Sequence, residues 1–277
     1  MRAAVVGHVE WVEFARVERV PLPGEIVAAR GGFAEAAGGG AVAAVQLARL
    51  AGDCTLYTAL GDDEVGARAR ERLEELGVRV EAAIRPGEPT RRAFTHLDDA
   101  GERTITVIGD RLEPRRSDPL AWDELATTAA VYFTAGDADS LRAARAARAV
   151  VATARVMDVL ASAAVPLDAV VASSADPDER YRPIEPAPSL VAVTAGAAGG
   201  TWSASDGRSG RWSPAPVPGP VRDTYGCGDS FAAGLALALA EGDDPDQALA
   251  RAAECGAACL AGDGPYGYDL RRTARTQ

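Results

Sequence analysis

The stretch 223–231 combines residue types that could perform group-transfer chemistry. Gly226 and Gly228 flank a single residue, and Asp229 follows them directly. Glycines permit a tight turn and allow a ligand to approach the backbone closely. The apolar run 230–240 predicts a buried helix, so the glycine turn should lie at a helix N-terminus. Unpaired N–H groups and the helix dipole make such a terminus an anion site.

Asp229 has two interpretations on this pattern alone. A carboxylate is not needed to bind an anion, but it is suited to accept a proton from a hydroxyl that attacks a bound phosphate. An Asp at the start of a core helix is also typical of an N-cap. The choice between a base and a cap depends on the rest of the chain.

Composition predicts a globular protein with an acidic surface. The 277 residues are 47% hydrophobic and carry a formal net charge of −11. An acidic surface disfavours nucleic acid and anionic membranes as partners, and no apolar run approaches the ~20 residues of a membrane span. Because Met1 and Arg2 lead directly into a strand-like run, we predict no signal peptide and a cytoplasmic location.

Missing residue types exclude several classes of enzyme. The sequence contains no lysine, which removes the Walker-A loop, the protein-kinase lysine and Schiff-base chemistry. A dinucleotide-binding dehydrogenase needs Gly-x-Gly-x-x-Gly after the first strand, but Gly7 is followed by His8-Val9-Glu10. Cys255 and Cys259 are four residues apart in an Ala-rich run, which favours core packing.

The elements that would position the turn form an α/β pattern. From about residue 131, short apolar strands alternate with helical segments, which predicts a parallel sheet with right-handed crossovers. Ligands of such sheets bind beyond the carboxyl ends of the strands. We therefore expect Asp176, Thr194 with Gly196, and the 226–229 turn to meet at one edge.

A second, smaller sheet is predicted as a lid. The segments 92–97 and 103–108 flank the turn residues 98–101, a typical β-hairpin pattern, and residues 10–30 read as exposed strands. The glycines at 38–40 open a helix, either to admit a polar ligand or to form a tight connection. The expected division is a core of residues 1–9, 31–87 and 111–277, and a β lid of residues 10–30 and 88–110.

Five motifs follow one another along the chain. The first four are the glycine cluster with Ala44-x-x-Leu47-Ala48-x-Leu50-x-Gly52, Gly61-Asp62-Asp63-x-x-Gly66, Gly101-Glu102-Arg103-Thr104, and Thr194-x-Gly196 with Gly199-Gly200, and the last is the stretch 223–231 with Gly234. Taken in this order, they resemble the motifs of the ribokinase-like (PfkB) family of carbohydrate and nucleoside kinases. The resemblance covers nearly the whole chain and implies a three-layer α/β/α core with a small β lid.

The resemblance implies ATP-dependent phosphorylation of a sugar-like hydroxyl. Asp229 would be the base, and the N–H groups of Gly226, Cys227 and Gly228 would form the anion hole. Mg²⁺ would bridge the phosphates of ATP. The residues implied for nucleotide binding are Thr194, Gly196, Gly199, Asp223, Thr224 and Gly264. Those implied for the acceptor are Glu13, Gly38, Gly39, Gly40, Arg92 and Asp229.

The sequence departs from the family pattern at the acceptor and the metal. The chain contains no asparagine, although the N-terminal signature usually carries one near Val42. The family's substrate-binding Asp near the first strand is replaced by Glu10 or Glu13, of which we prefer Glu13. The Asn-x-x-Glu element linked to magnesium becomes Ser173-x-x-Asp176, with Glu179 as a further acid.

Three functions therefore stay open at this point: a sugar kinase, a nucleoside kinase, and a non-catalytic nucleotide- or sugar-binding protein of the same descent. The exposed β segments of the lid would allow a homodimer.

Overall fold

The computed structural model describes residues 1–269 and confirms the predicted α/β class. A nine-stranded sheet has the order β13-β12-β11-β10-β9-β8-β1-β4-β5, and a separate four-stranded sheet has the order β3-β2-β6-β7. From β11 to β5 all neighbours pair in parallel, whereas β12 and β13 form an antiparallel hairpin at one end. The strands of the large sheet are β1 Arg2–Val6, β4 Asp53–Gly61, β5 Arg79–Arg85, β8 Ala130–Phe133, β9 Ala149–Thr153, β10 Ala169–Ser173, β11 Leu190–Thr194, β12 Gly200–Ala204 and β13 Ser209–Trp212.

Helices cover both faces of the large sheet. Alternate residues of β1 face two different cores, with Ala3 and Val5 in one and Ala4 and Val6 in the other. Buried parallel sheets show this arrangement because crossover helices lie on each face, and it produces the three expected layers. The helices are α1 Gly39–Ala51, α2 Glu64–Glu75, α3 Ala138–Ala144, α4 Met157–Ala163, α5 Cys227–Glu241 and α6 Pro245–Leu260. None of the helices within residues 1–269 is long and apolar enough to cross a membrane.

The small sheet corrects one predicted boundary. Its strands are β2 Glu10–Arg16, β3 Gly31–Ala37, β6 Arg92–Leu97 and β7 Arg103–Ile108. We expected residues 31–37 in the core, but they pair antiparallel with β2. Residues 31–37 do not look like a strand in the sequence, because they begin with two glycines and glycine is depleted in strands. The hairpin of β6 and β7 agrees with the sequence pattern, and a dimer through this sheet stays a prediction.

The start of α1 lies directly against the end of β1. A Cβ atom on Gly40 would lie 2.6 Å from the His8 carbonyl oxygen and 2.7 Å from the Gly7 carbonyl carbon. Both neighbours are backbone atoms, so they cannot move aside as a side chain would. This contact brings the glycines at 38–40 to the carboxyl edge of the sheet.

We predict that Gly40→Ala destabilises the protein by about 1–3 kcal/mol, because the added methyl group overpacks a backbone contact. Gly31→Ala is the matched control, since a Cβ atom on Gly31 would point into open space with no neighbour within 4 Å. Urea unfolding of both variants measures the difference. Equal stability of the two would show that α1 can shift away from β1 at little cost.

Candidate active site

The glycine turn forms the N-terminus of α5. Gly226 is the N-cap residue in the left-handed region at φ 81°, and it makes no side-chain capping bond. The first helical bond within α5 runs from the Ser230 N–H to the Gly226 carbonyl at 2.9 Å. The N–H groups of Cys227 and Gly228 precede that bond and therefore lack an intrahelical acceptor. Asp229 lies in the first turn and is not the cap, which removes the capping interpretation.

Asp223 stabilises the backbone of this turn through hydrogen bonds from its buried side. Its side chain is fully buried, with one carboxylate oxygen accepting the Tyr225 N–H at 2.8 Å and the other the Gly264 N–H at 2.6 Å. Burial raises the pKa of Asp223, although these two bonds oppose the rise. With both oxygens engaged by backbone, Asp223 positions the turn and the loop at Gly264. Its predicted part in shaping the phosphate side of the site stays a prediction.

Asp229 lies in a cleft enclosed by protein but still partly accessible to solvent. The Tyr132 hydroxyl is 3.5 Å from one carboxylate oxygen. Burial, followed by the negative charge of Glu179, raises the pKa of Asp229 to about 7, against the opposing charges of Arg103 and Arg155. A carboxylate with a pKa near neutral pH is a stronger proton acceptor than an ordinary Asp.

Gly39 faces Asp229 across the cleft. A Cβ atom on Gly39 would lie 2.8 Å from an Asp229 carboxylate oxygen and 3.0 Å from the Thr134 hydroxyl oxygen. The absence of a side chain keeps the space above the carboxylate open. The structure thus brings Gly39 close to Asp229, and both belong to the acceptor residues that the family resemblance implies.

Glu10 borders the same glycines on the other side. A Cβ atom on Gly38 would lie 3.2 Å from both the Glu10 Cγ and the His8 Cδ2. The buried Glu10 carboxylate is 3.4 Å from the His8 Nε2 and 3.3 Å from the Arg91 Nε. Burial acts to raise the pKa of Glu10, but the hydrogen bond and charge of His8, with Arg91 and Arg111, outweigh it and lower the pKa.

Of the two acids considered in place of the family's substrate-binding Asp, Glu13 was preferred, but the structure places Glu10 and not Glu13 on the face of β2 that borders the site. Successive strand residues point to opposite faces, and Phe14 of β2 contacts the Tyr225 ring at 5.0 Å between centroids. Glu10 lies on the same face as Phe14, whereas Glu13 lies on the face turned away from Tyr225. Arg92 accompanies Glu13 there, paired with it at 3.2 Å with both side chains about half exposed. Neither residue reaches the site in this structure.

The two acids predicted near a metal are bound by an arginine. Arg155 contacts Asp176 at 2.6 Å and Glu179 at 2.8 Å. Within residues 1–269 no group of three or more His, Cys, Asp or Glu side chains could hold a metal ion. The donor set therefore does not fit a metal ion held directly by Asp176 and Glu179. Of the two acids, Glu179 acts electrostatically on Asp229.

The remaining predicted nucleotide residues lie along the carboxyl edge. Thr194 ends β11 opposite Ser173 of β10, and its hydroxyl donates to the Ala172 carbonyl at 3.1 Å. Gly196 and Gly199 bracket the 3₁₀ turn that follows. This edge also contains the start of α5, so the turn after β11 and the glycine turn at 226–229 open on one side of the sheet.

Sequence reasoning missed two residues that the fold brings near Asp229, Tyr132 and Arg155. Arg103, which also acts on Asp229, lies in the hairpin motif 101–104, where the sequence offers it as a possible substrate contact. Tyr132 carried no signal, because its strand reads as a uniformly apolar core strand. Arg155 follows directly after β9, so the rule that ligands bind beyond the carboxyl ends of strands could have identified it.

Comparison with known proteins relates the chain to carbohydrate kinases. The sequence profile of pfkB family carbohydrate kinases matches residues 2–174 and 171–268. An ATP-dependent ribose-1-phosphate kinase of Halopiger xanaduensis is 35% identical over 112 residues, which cover 40% of this chain and 37% of that protein. The chain thus aligns with little more than a third of the length of this curated relative.

Solved structures share the fold over their full length. Ribokinase of Cryptococcus neoformans in complex with ADP has a TM-score of 0.78 at 23% identity, covering 100% of this chain and 99% of that one. Arabidopsis thaliana ribokinase complexed with ribose and ATP has a TM-score of 0.75 at 22% identity, covering 99% of this chain and 97% of that one. The family profile spans nearly all the described residues, and the chain therefore belongs to the PfkB family of carbohydrate kinases.

Proposed function

We propose that the protein is an ATP-dependent kinase that phosphorylates a hydroxyl group of a sugar or sugar derivative. The observation that carries the proposal is the placement of Asp229 in the first turn of α5. Asp229 directly follows Cys227 and Gly228, whose N–H groups have no intrahelical acceptor. A proton acceptor beside an anion cradle is the pairing that phosphoryl transfer to a hydroxyl requires.

In the proposed reaction Asp229 takes the proton of the acceptor hydroxyl. The hydroxyl oxygen forms a bond to the γ-phosphorus of ATP while the bond from that phosphorus to the ADP oxygen breaks. The N–H groups of Gly226, Cys227 and Gly228 stabilise the negative charge on the phosphoryl oxygens. The products are ADP and the phosphate ester.

The acceptor is expected to occupy the space between Gly39 and Glu10. Gly39 leaves the Asp229 carboxylate uncovered, and Gly38 contacts the Glu10 side chain. A carboxylate kept ionised by His8 and Arg91 accepts hydrogen bonds from hydroxyl groups. A polyhydroxylated acceptor could place one hydroxyl at Asp229 and another at Glu10.

ATP is supported as the donor by the names of the relatives, one described as ATP-dependent and another as complexed with ribose and ATP. Mg²⁺ would arrive with ATP, since this ion is usually held by substrate phosphates and water with few protein ligands. Residues at the carboxyl edge of the large sheet would then contact the phosphates of ATP and not the Mg²⁺ ion.

We predict that Asp229→Asn lowers kcat by about 10²–10⁴-fold, because the amide cannot accept the proton. Binding of ATP, measured by calorimetry, should stay near wild type. Wild type and variant are assayed for ADP formation against sugars, sugar phosphates and nucleosides. Asp206→Asn, an exposed change in the β12–β13 turn, is the control. Turnover by Asp229→Asn within tenfold of wild type would contradict the proposed base.

The pH dependence of the reaction follows from the raised pKa of Asp229. The base is active only when deprotonated, so kcat/KM should rise with pH and level off above about 7. Glu179→Gln removes a negative charge that raises this pKa, and it releases Arg155, whose charge lowers it. The midpoint should therefore move to lower pH.

The profiles are measured over roughly pH 5.5–8.5, a range that spans the ordinary pKa of His and excludes that of Asp. Glu74→Gln, on the exposed side of α2, should leave the midpoint where it is. A midpoint that moves upward in Glu179→Gln would show that the titrating group is not Asp229.

A further inference from the structure

Two buried hydroxyl groups lie on neighbouring strands of the large sheet, close to its carboxyl edge. Tyr132 is the third residue of β8 and Thr153 is the last residue of β9, and both are almost fully enclosed. Tyr132 pairs with Val151, and Thr153 follows Val151 by two residues. Because side chains alternate along a strand, Tyr132 and Thr153 share one face of the sheet. Buried hydroxyl groups need hydrogen-bond partners.

The hydrogen bonds of these two hydroxyl groups run in one direction. Thr153 Oγ1 accepts the Arg155 backbone N–H at 3.2 Å. The Thr153 hydroxyl is also hydrogen-bonded to the Tyr132 hydroxyl, which lies 3.5 Å from Asp229 Oδ1. An ionised carboxylate can only accept and a backbone N–H can only donate. The Tyr132 hydrogen therefore points to Asp229, and the Thr153 hydrogen points to Tyr132.

The oxygen of Asp229 that Tyr132 approaches is the one that faces the acceptor space. A Cβ atom on Gly39 would lie 2.8 Å from the same Oδ1. A carboxylate oxygen has two lone pairs, so Oδ1 can accept from Tyr132 and from an acceptor hydroxyl together. Hydrogen bonds of catalytic groups are often long before substrate binds and shorten in the reactive complex.

The surroundings of Asp229 act on its ionisation in opposite directions. Burial, followed by the charge of Glu179, raises the pKa of Asp229, whereas Arg103, Arg155 and Tyr132 lower it. The two arginines act through their charge, and Tyr132 acts through its hydrogen bond. The charge of Asp229 also acts on three further titratable groups, Tyr225, Cys259 and Tyr266.

We propose that Tyr132, held by Thr153, is a positioning residue for the base: its hydroxyl turns Oδ1 of Asp229 toward the acceptor hydroxyl and favours the ionised carboxylate. This inference rests on the proposed kinase function. The chain of hydrogen bonds begins at a backbone N–H, which fixes its direction. Bonds in such a chain polarise one another, so the Thr153 hydroxyl strengthens the bond from Tyr132 to Asp229.

The first test follows the pH profile of kcat/KM in Tyr132→Phe, with an acceptor found in the ADP-formation screen. Loss of a hydrogen bond to the charged form disfavours that form, so the midpoint should move to higher pH by about one unit. The value of kcat/KM below pH 7 should fall about tenfold and should approach wild type near pH 9.

Two variants of Thr153 test the second link of the chain. Thr153→Val removes the hydroxyl and keeps a side chain of the same shape, so the midpoint should move upward by less than in Tyr132→Phe. Thr153→Ser keeps the hydroxyl and should keep the wild-type midpoint. A role in packing alone would not make the midpoint follow the hydroxyl group. These variants also test the proposal if Tyr132→Phe folds poorly.

Tyr57→Phe is the matched control. Tyr57 is a buried tyrosine of β4 whose hydroxyl donates to the Ala121 carbonyl at 3.0 Å. It belongs to the core on the opposite face of the large sheet from Tyr132. Its loss of a buried hydroxyl group is the same as in Tyr132→Phe, but the midpoint of the profile should not move.

Carbon-13 NMR of the Asp229 carboxyl group measures the same titration without turnover, and Asp229→Asn identifies its signal. The midpoint should rise in Tyr132→Phe and stay in place in Tyr57→Phe. An unchanged or lower midpoint in Tyr132→Phe overturns the proposal, and so does a Thr153→Val midpoint equal to that of Thr153→Ser. If the NMR midpoint rises as expected but wild type phosphorylates no acceptor, the hydrogen-bond chain stands and the proposed kinase function is overturned.

Discussion

The N-terminus of α1 lies against the Asp229 carboxylate at the N-terminus of α5, and the candidate site depends on that contact. Gly39 begins α1, and any Cβ there would strike the Asp229 carboxylate of α5. Gly40 in turn lies against the backbone at the end of β1. Because Gly39 meets a carboxylate and Gly40 meets backbone atoms, a side chain at either position would clash, and the space beside Asp229 is set by the packing of α1 against β1 and α5.

A chain of buried contacts connects the small sheet to the glycine turn at the N-terminus of α5. Asp223 binds the Tyr225 N–H, and the Tyr225 ring contacts Phe14 of β2. The Tyr225 hydroxyl accepts the Gly38 N–H at 3.2 Å, and Phe14 stacks on Phe33 of β3. Tyr225 thus contacts the glycine turn of α5, the glycines at 38–40 and the small sheet.

The two buried carboxylates of the candidate site, Glu10 and Asp229, have different electrostatic surroundings. His8 and Arg91 lower the pKa of Glu10 against the effect of its burial, whereas burial and the charge of Glu179 raise the pKa of Asp229 to about 7. Two carboxylates that border the same glycines therefore have opposite pKa shifts. Divergent environments of this kind are how one site assigns different roles to similar groups.

Some of this could be predicted before any coordinates were known. Gly226, Gly228 and Asp229 lie within four residues of chain, so their relation to one another follows from the local geometry of a helix N-terminus. The parallel sheet follows from alternating apolar strands and helices. The position of Glu13 did not follow, because its face depends on where β2 begins and on which side of that strand Tyr225 packs.

By itself, the sequence determined the fold class, the family and the position of the glycine turn at a helix N-terminus, since each rests on residues close together in the chain or on a period that repeats along it. Only the tertiary structure decided that Glu10, and not Glu13, borders the glycines at 38–40, and that Arg155 pairs with the two acids predicted near a metal. It also decided that Arg103 touches Thr224 across 121 residues of chain. These pairings join different elements, and no local pattern encodes which side chains meet once sheets and helices pack.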